Sequence, residues 1–307
     1  MRKTENFKIE YYSGTGCTAL AAESLYAALT GAGQTGSVHR LAVGQEEIPA
    51  SQAQPALYIL MFPVHSFNAP EAVYKHLESL TAAGGTPAAV IDVSGGGEIC
   101  PNRAVRVSSI KRFEKKGYDV FYEDSIVMPS NCVVPTNEQV SVRLLEALPE
   151  KTKQIAENIL SGVRRRPKPN IIDRLASRIG EIEKPAAKSF GKSLAATDEC
   201  DGCGWCAENC PAGNISMKAA EAAEEAGPGS TKPLFDINCH FCMGCVYGCP
   251  RNALVSKKYG FAVIKEGFSI DRLKKMAQTE ERSDADLDSL LKGYLWSGVK
   301  KYLKDLK

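Results

Sequence analysis

The chain has 307 residues, which suits about two domains at ~150 residues each. With 44% hydrophobic and 24% charged residues it has the composition of a folded globular protein rather than a disordered one. A net charge of +2 gives no bulk argument for a nucleic-acid or membrane partner, no apolar stretch is long enough to span a bilayer, and Met1-Arg2-Lys3 leads into a strand without the apolar region of a secretory signal, so a cytoplasmic location is expected.

Phe7 to Tyr12 is a short run of apolar and aromatic residues, a strand pattern. Ser13-Gly14-Thr15-Gly16-Cys17-Thr18 follows, and then Ala19, Leu20, Ala21, Leu25 and Leu29 at helical spacing. Strand, glycine- and hydroxyl-rich turn, and helix together make an anion cradle. Glycines let backbone N–H groups converge, hydroxyls donate further bonds, and the helix N-terminus adds a positive dipole end. The turn lacks the Gly-Lys-Ser/Thr ending of a P-loop, and Ala19 occupies the last glycine position of a dinucleotide fingerprint.

Pro55 to Phe62 predicts a buried strand that ends in the loop Pro63-Val64-His65-Ser66-Phe67-Asn68-Ala69-Pro70. A helix is expected from about Glu71 to Leu80, a strand over Ala88 to Val93, and a loop Ser94-Gly95-Gly96-Gly97. A helix after Pro101, a strand over Tyr118 to Val127, and a long helix from Asn137 to Leu160, broken near Pro149, complete this half. Strands alternating with helices imply a parallel α/β sheet whose ligand lies beyond the carboxyl ends of the strands. Three consecutive glycines after a buried strand point to close approach of a ligand to the backbone. His65 either stacks on or donates to a ligand, or stands as a surface histidine at a loop tip. Cys100 either faces the ligand or merely precedes a helix.

Residues 164–192 hold Pro167, Pro169 and Pro185 around an amphipathic stretch of Ile171, Ile172, Leu175, Ile179 and Ile182. They read as a linker with one helix that packs on a domain. The preceding Arg164-Arg165-Arg166 is either a solvated run, or a basic flank that offsets the charge of the acidic stretch that follows or docks an acidic partner.

Two identical cysteine runs come next. Cys200, Cys203, Cys206 and Cys210 precede Pro211, and Cys239, Cys242, Cys245 and Cys249 precede Pro250. Each reads C-x2-C-x2-C-x3-C-P, the bacterial pattern for a [4Fe–4S] cluster, whose fourth cysteine ligates the other cluster in two-cluster proteins. The expected ligand sets are therefore Cys200, Cys203, Cys206 and Cys249, and Cys239, Cys242, Cys245 and Cys210. Zinc has no use for three evenly spaced cysteines and a Cys-Pro, twice over, and disulfide frameworks belong to small secreted domains. Cys17, Cys100 and Cys132 are read as free thiols. The repeat places Ile215 and Leu254 in equivalent core positions. An inserted helix is expected over Lys218 to Ala226 with a turn at Gly227 to Ser230, and after Ile264 a helical tail with Leu287, Leu290, Leu291, Leu295 and Val299 in register and Trp296 and Tyr302 packed on the body.

The N-terminal half, through its strand, Ser/Thr-Gly turn and helix, resembles a flavodoxin. The cysteine runs resemble a two-cluster bacterial ferredoxin. The whole chain resembles the flavodoxin–ferredoxin fusion proteins of anaerobes. The resemblance implies a doubly wound flavodoxin-like domain over 1–162, the linker over 163–194, a small α+β ferredoxin domain over 195–262, and the tail over 263–307. It also implies FMN, with phosphate at Ser13, Gly14, Thr15, Gly16, Cys17 and Thr18. The ring would lie between Pro63, Val64, His65 and Phe67 on one side and Ser94, Gly95, Gly96 and Gly97 on the other. Cys17 departs from the commoner asparagine, and His65 and Phe67 stand where many flavodoxins stack a tryptophan.

The function that follows is electron transfer among two [4Fe–4S] clusters and FMN and on to redox partner proteins. The alternative is a flavin-dependent reductase fed by the ferredoxin part and acting on a small organic or metallo-substrate. A cluster-based sensor has no signalling module here to act through.

Overall fold

The computed structural model describes residues 5–42, 55–180, 183–219, 231–279 and 286–306. The first part runs β1 (Glu5–Tyr11), α1 (Cys17–Gly31), β2 (Thr35–Arg40), β3 (Leu57–Pro63), α2 (Glu71–Ser79), β4 (Pro87–Ser94), α3 (Val107–Lys115), β5 (Asp119–Val127) and α4 (Glu138–Leu160). The strands form one sheet in the order β2-β1-β3-β4-β5, every pair parallel. That is the flavodoxin-like order, with its switch point between β1 and β3.

Side-chain alternation along the central strands builds both layers. Ile59 and Met61 of β3 join Leu25 and Leu29 of α1 and Ile155 and Ile159 of α4 on one face. Tyr58, Leu60 and Phe62 join Val73 and Leu77 of α2 and Ile110 and Phe113 of α3 on the other. A strand buried on both faces reads as a continuous apolar run, which is why β3 is plain in the sequence. β2 is not, since Thr35-Gly36-Ser37-Val38-His39-Arg40 is an edge strand with no buried face to pattern it.

The expected break at Pro149 does not occur. α4 continues through it. Leu145, Leu148, Thr152 and Ile155 stay buried across the proline, and the Thr152 hydroxyl donates to the carbonyls of Leu148 (3.0 Å) and Pro149 (3.1 Å). Packing of a long apolar face outweighs one missing donor.

The solvated reading of the arginine run holds only in part, since the Arg164 side chain is 64% exposed while all three arginines pair with the first domain. Arg165 pairs with β5 as a bridge to Tyr122, and its side chain bonds Glu98 at 2.6 Å. Arg164 pairs with Asp119 at 2.6 Å and Arg166 with Glu114 at 3.0 Å. The three clasp the open edge of the sheet. Beneath them Arg106, 1% exposed, bonds Asp92, Glu98 and Glu123.

The linker holds two helices, α5 (Ile171–Gly180) and α6 (Glu183–Ser193). α5 docks, but by its polar side. Ser177 donates to Asn68 at 2.8 Å, Asp173 is buried, and Ile171 and Ile172 are 84% and 65% exposed. The apolar stripe that predicted packing faces outward, because the loop at Asn68 offers hydrogen-bonding groups rather than an apolar groove. The side chains of Ile179 and Ile182 lie outside the described residues.

The cysteine region comprises β6 (Leu194–Ala196), α7 (Trp205–Glu208), β7 (Ile215–Ala219), β8 (Thr231–Phe235), α8 (Gly244–Gly248) and β9 (Leu254–Ser256). β6 pairs with β9 and β7 with β8, both antiparallel. Ile215 and Leu254, matched by the repeat, are both buried. Lys218, expected to open an inserted helix, is instead in β7 opposite Lys232. Ala219 follows it in β7 opposite Thr231, and residues 220–230, the remainder of that expected helix and its turn, lie outside the described residues.

The tail forms α9 (Ile270–Thr279), α10 (Leu287–Leu290) and α11 (Ser297–Asp305) and returns to the first domain. Leu273 of α9 joins the face of α1 and α4. Leu291, Val299 and Leu303 pack on Val127, Val140 and Leu144, with Trp296 and Tyr302 against them. Leu295 is 52% exposed, so the helical register predicted for it breaks at Gly293. Among the described residues no helix is long and apolar enough to cross a membrane.

Candidate functional site

A cavity of about 620 Å³ opens at the carboxyl ends of β1, β3, β4 and β5. That volume lies within the range of small-molecule and cofactor sites. The cradle contributes Ser13, Gly14, Thr15, Cys17 and Thr18, the second loop Pro63, Val64, His65, Ser66 and Phe67, and the third loop Ser94 and Gly95. The three loops singled out in the sequence therefore meet around one space. Two further walls were not foreseen. Met128 to Val133, after β5, form a fourth, and Phe241, Cys242, Tyr259, Phe261 and Ala262 bring in the cysteine region.

Gly16, Gly96 and Gly97 stand behind the cavity wall. Gly16 caps α1 with φ +98°, a left-handed conformation that favours glycine, and a Cβ there would lie 2.9 Å from Ile270 of α9. Gly96 and Gly97 pack against Gly298 at the start of α11. The glycine triplet thus serves close approach of the protein's own tail as much as of a ligand.

The cradle is held in shape by its surroundings. Ser13 Oγ accepts from the backbone N–H of Ala19 at 3.3 Å, and Asn131 Nδ2 donates to Thr15 Oγ1 at 2.5 Å. Arg40 donates through Nη2 to the Ser13 carbonyl at 3.0 Å, while its buried Nε has no hydrogen-bond partner. A cationic group with an unsatisfied donor beside a hydroxyl-lined helix N-terminus suits an anionic ligand end such as a phosphate monoester. Cys17 is buried, and burial pushes its thiol up to about 12, so it stays protonated; its sulfur lies 3.8 Å from the Pro129 carbonyl oxygen.

His65 is no surface loop tip. A two-residue turn, closed by His65 N–H to the Asn68 carbonyl at 2.8 Å, carries Ser66 and Phe67 at φ +40° and +63°. It turns the imidazole inward, edge-on to Tyr12 at 6.4 Å. Burial lowers the His65 pKa to about 4, against a hydrogen bond to the His240 backbone. Cys100 does not line the cavity, and its carbonyl accepts from the Tyr294 hydroxyl at 2.9 Å. Cys132 lines the wall.

The cysteines fall into two groups. Cys200, Cys203, Cys206 and Cys249 surround one small hollow with Trp205, Met217 and Arg251. Cys239, Cys242 and Cys210 are close enough to interact electrostatically, and Cys245 interacts with all three and also with Cys206 of the first group. In each half a backbone N–H four residues on donates to the fourth cysteine: Asn214 to Cys210 and Ala253 to Cys249, both at 3.3 Å. Phe241 N–H donates to Cys239 at 3.4 Å. N–H donors aimed at sulfur fit thiolate ligands of an iron–sulfur cluster. Among the described residues no three His, Cys, Asp or Glu side chains converge on a single ion.

The two halves differ in one telling way. Gly202 and Gly204 hold the left-handed positions flanking Cys203, and Phe241 and Met243 hold them flanking Cys242, at φ +55° and +60°. Bulky residues there store strain. The Phe241 ring stacks on Phe190 at 4.2 Å and also walls the cavity. Aligning the repeats shows Gly202 replaced by Phe241, the sequence signal that would have found this wall.

A family described as the 4Fe-4S dicluster domain matches residues 199–254. The chain joins a flavodoxin-like sheet to a ferredoxin-type iron–sulfur region. No curated protein matches it. Among solved structures it is similar to flavodoxin 1 of Bacillus cereus, at 16% identity and a TM-score of 0.37, covering 51% of this chain and 98% of that one. The flavodoxin of Streptococcus pneumoniae TIGR4 gives 18% identity and 0.37, covering 52% and 99%. The Flv1 flavodiiron core of Synechocystis gives 18% and 0.32, covering 51% of this chain and 37% of that one. The strand order, rather than these overlaps, defines the fold. This combination of regions supports electron transfer as the general role.

Proposed function

We propose that the chain moves electrons between two [4Fe–4S] clusters and FMN and exchanges them with redox partner proteins. The first cluster is assigned to Cys200, Cys203, Cys206 and Cys249, and the second to Cys239, Cys242, Cys245 and Cys210. FMN is assigned to the cavity, its phosphate on the Ser13–Thr18 cradle near Arg40 and its ring among His65, Phe67, Gly95 and Phe241. Clusters supply one-electron exchange and a flavin supplies one- or two-electron exchange, so the fusion suits conversion between the two.

One observation carries this reading: Cys242 belongs to the second cysteine set and to the cavity wall at once. Gly14 of the cradle packs so tightly on it that an added Cβ would lie 2.5 Å from the Cys242 carbonyl oxygen. Of the residues assigned to the second set Cys242 lines the cavity, and of those assigned to the first set Cys203 is exposed. External exchange would take place at that exposed cysteine.

The reductase reading draws on the cavity mouth, where Phe261 and Val133 are 72% and 57% exposed and offer apolar surface to a substrate. Anaerobic purification with iron, sulfide and flavin analysis tests the assignment. It predicts ~8 irons, ~8 labile sulfides and about one FMN per chain. Stoichiometric zinc without labile sulfide overturns it.

A further inference from the structure

Asn214 stands just before β7, four residues after Cys210, and is 2% exposed. Its backbone is held at both ends. The N–H donates to Cys210 Sγ at 3.3 Å, and the carbonyl accepts from the Asp236 N–H at 2.9 Å. Its side chain is not held in this way. Nδ2 and Oδ1 are both buried without a hydrogen-bond partner among the described residues. A buried, unpaired amide is costly, and in a folded protein it points to a partner other than a side chain.

The amide lies beside the second cysteine set. The place that a Cβ on Gly191 would take is 3.3 Å from Asn214 Nδ2 and 2.6 Å from the Cβ of Cys239. Asn214 thus neighbours Cys210 through its backbone and Cys239 through its side chain, and both cysteines are assigned to one cluster. The other half of the repeat has no such group. Aligning Cys210 with Cys249 puts Ala253 at the matching place. Ala253 is fully buried, and its N–H makes the same bond, to Cys249 Sγ at 3.3 Å. The two halves share the backbone donor, and only the set that includes Cys242 of the cavity wall adds an amide.

We infer that Asn214 donates a hydrogen bond from Nδ2 to a sulfur of the cluster on Cys239, Cys242, Cys245 and Cys210, and so raises the reduction potential of that cluster. This rests on the two-cluster assignment made above. The sulfurs of a cluster accept hydrogen bonds and have no proton to give, so the NH2 end of the amide is the end they satisfy. Hydrogen bonds to the sulfurs help set the potential of an iron–sulfur cluster. Reduction adds one negative charge, and a donor binds the more negative form more strongly. The amide therefore favours passage of one electron from the first cluster to the second. The first cluster is oxidised, the second is reduced, and no proton moves, since Asn214 keeps both amide hydrogens. An electron entering at the exposed Cys203 is drawn toward the set that shares Cys242 with the cavity wall.

The test is an anaerobic redox titration of the full chain by electron paramagnetic resonance, wild type against Asn214→Ala, which installs the residue that the repeat carries at the matching place. For one of the two cluster signals the ratio of reduced to oxidised cluster at a fixed potential should fall about tenfold, equal to about 59 mV for one electron, while the other signal stays in place. The signal that moves should be the one that Cys242→Ser removes. If the Ala variant fails to assemble, pulsed resonance on reduced wild type decides the matter, using asparagine isotope-labelled only at its side-chain nitrogen. A coupling from that nitrogen to the signal is expected, and its absence overturns the role of Asn214. An amide that merely holds a buried water leaves both potentials unmoved in Asn214→Ala. That result overturns the proposal, as does movement of the signal that Cys203→Ser removes. Wild-type protein with far fewer than ~8 irons overturns the two-cluster assignment itself, so the two failures are told apart by iron content.

Discussion

Gly14 and Cys242 touch backbone to backbone. A Cβ on Gly14 would lie 2.6 Å from the Cβ of Cys242 and 2.5 Å from its carbonyl oxygen. On the other side, a Cβ on Gly244 would lie 2.8 Å from the Gly14 carbonyl oxygen. Two glycines far apart in sequence thus let the cradle and the second cysteine run meet. The cavity and the second cluster set share this wall.

Gly14→Ala should therefore push the two parts of the chain apart. Neither neighbour is a flexible side-chain end, so the backbone must move, at a cost of about 1–3 kcal/mol. Chemical denaturation should show that loss. Flavin fluorescence titration should show weaker FMN binding than in the parent. Unchanged affinity and stability would mean that the contact is not maintained in solution.

Gly16→Val should also weaken FMN binding, by a route different from simple blockage of the cradle. Gly16 sits at φ +98° and faces Ile270, so a side chain strains the backbone by roughly 1–2 kcal/mol and displaces α9. The companion change Ile270→Ala opens space for the side chain. It should recover part of the stability, leaving the backbone strain, when the two variants are compared by thermal unfolding.

The crossed ligand sets predict a pairing among serine variants. Cys203→Ser and Cys249→Ser should degrade the same cluster although they lie in different runs, and Cys242→Ser and Cys210→Ser should degrade the other. Electron paramagnetic resonance of the reduced variants distinguishes the two signals. Loss of different signals in Cys203→Ser and Cys249→Ser would show that each run serves its own cluster.

A pH dependence follows from Asp124. Burial raises its carboxyl, but Lys151 at 3.0 Å and Arg165 at 3.5 Å more than offset this and hold it below the ordinary 3.8. The folded state therefore binds the proton less readily than the unfolded state. The carboxylate's contribution is fully present above about pH 5 and is lost as pH falls through and below 3.8. Asp124→Asn should be less stable at pH 7 by about 3 kcal/mol, and the gap to wild type should narrow in acid. Urea unfolding at both pH values reads the gap.

Much of this arrangement was legible in the chain. The cysteine spacing is chemistry written directly in sequence, and β3 and β4 show as apolar runs because both their faces are buried. The cradle showed because its glycines and hydroxyls break the pattern between a strand and a helix. What stayed hidden depends on partners distant in sequence. β2 has no apolar alternation to betray it. The apolar stripe of α5 suggested a docking face, yet the helix docks through Asp173 and Ser177. The fourth cavity wall at Met128–Val133 follows β5 without any unusual residue, and its role appears only when Tyr247 donates to the Asn131 carbonyl at 2.9 Å and ties it to the ferredoxin-type part.

The most direct test of the central claim is the rate at which the flavin is reduced within one molecule. Clusters in the full chain are photoreduced anaerobically and flavin absorbance is followed at several protein concentrations. With Cys242 in the cavity wall, the rate should be first-order and independent of protein concentration, because proximity is set by the fold rather than by diffusion. A rate that rises in proportion to protein concentration would contradict the account and mean that electrons reach the flavin from other molecules.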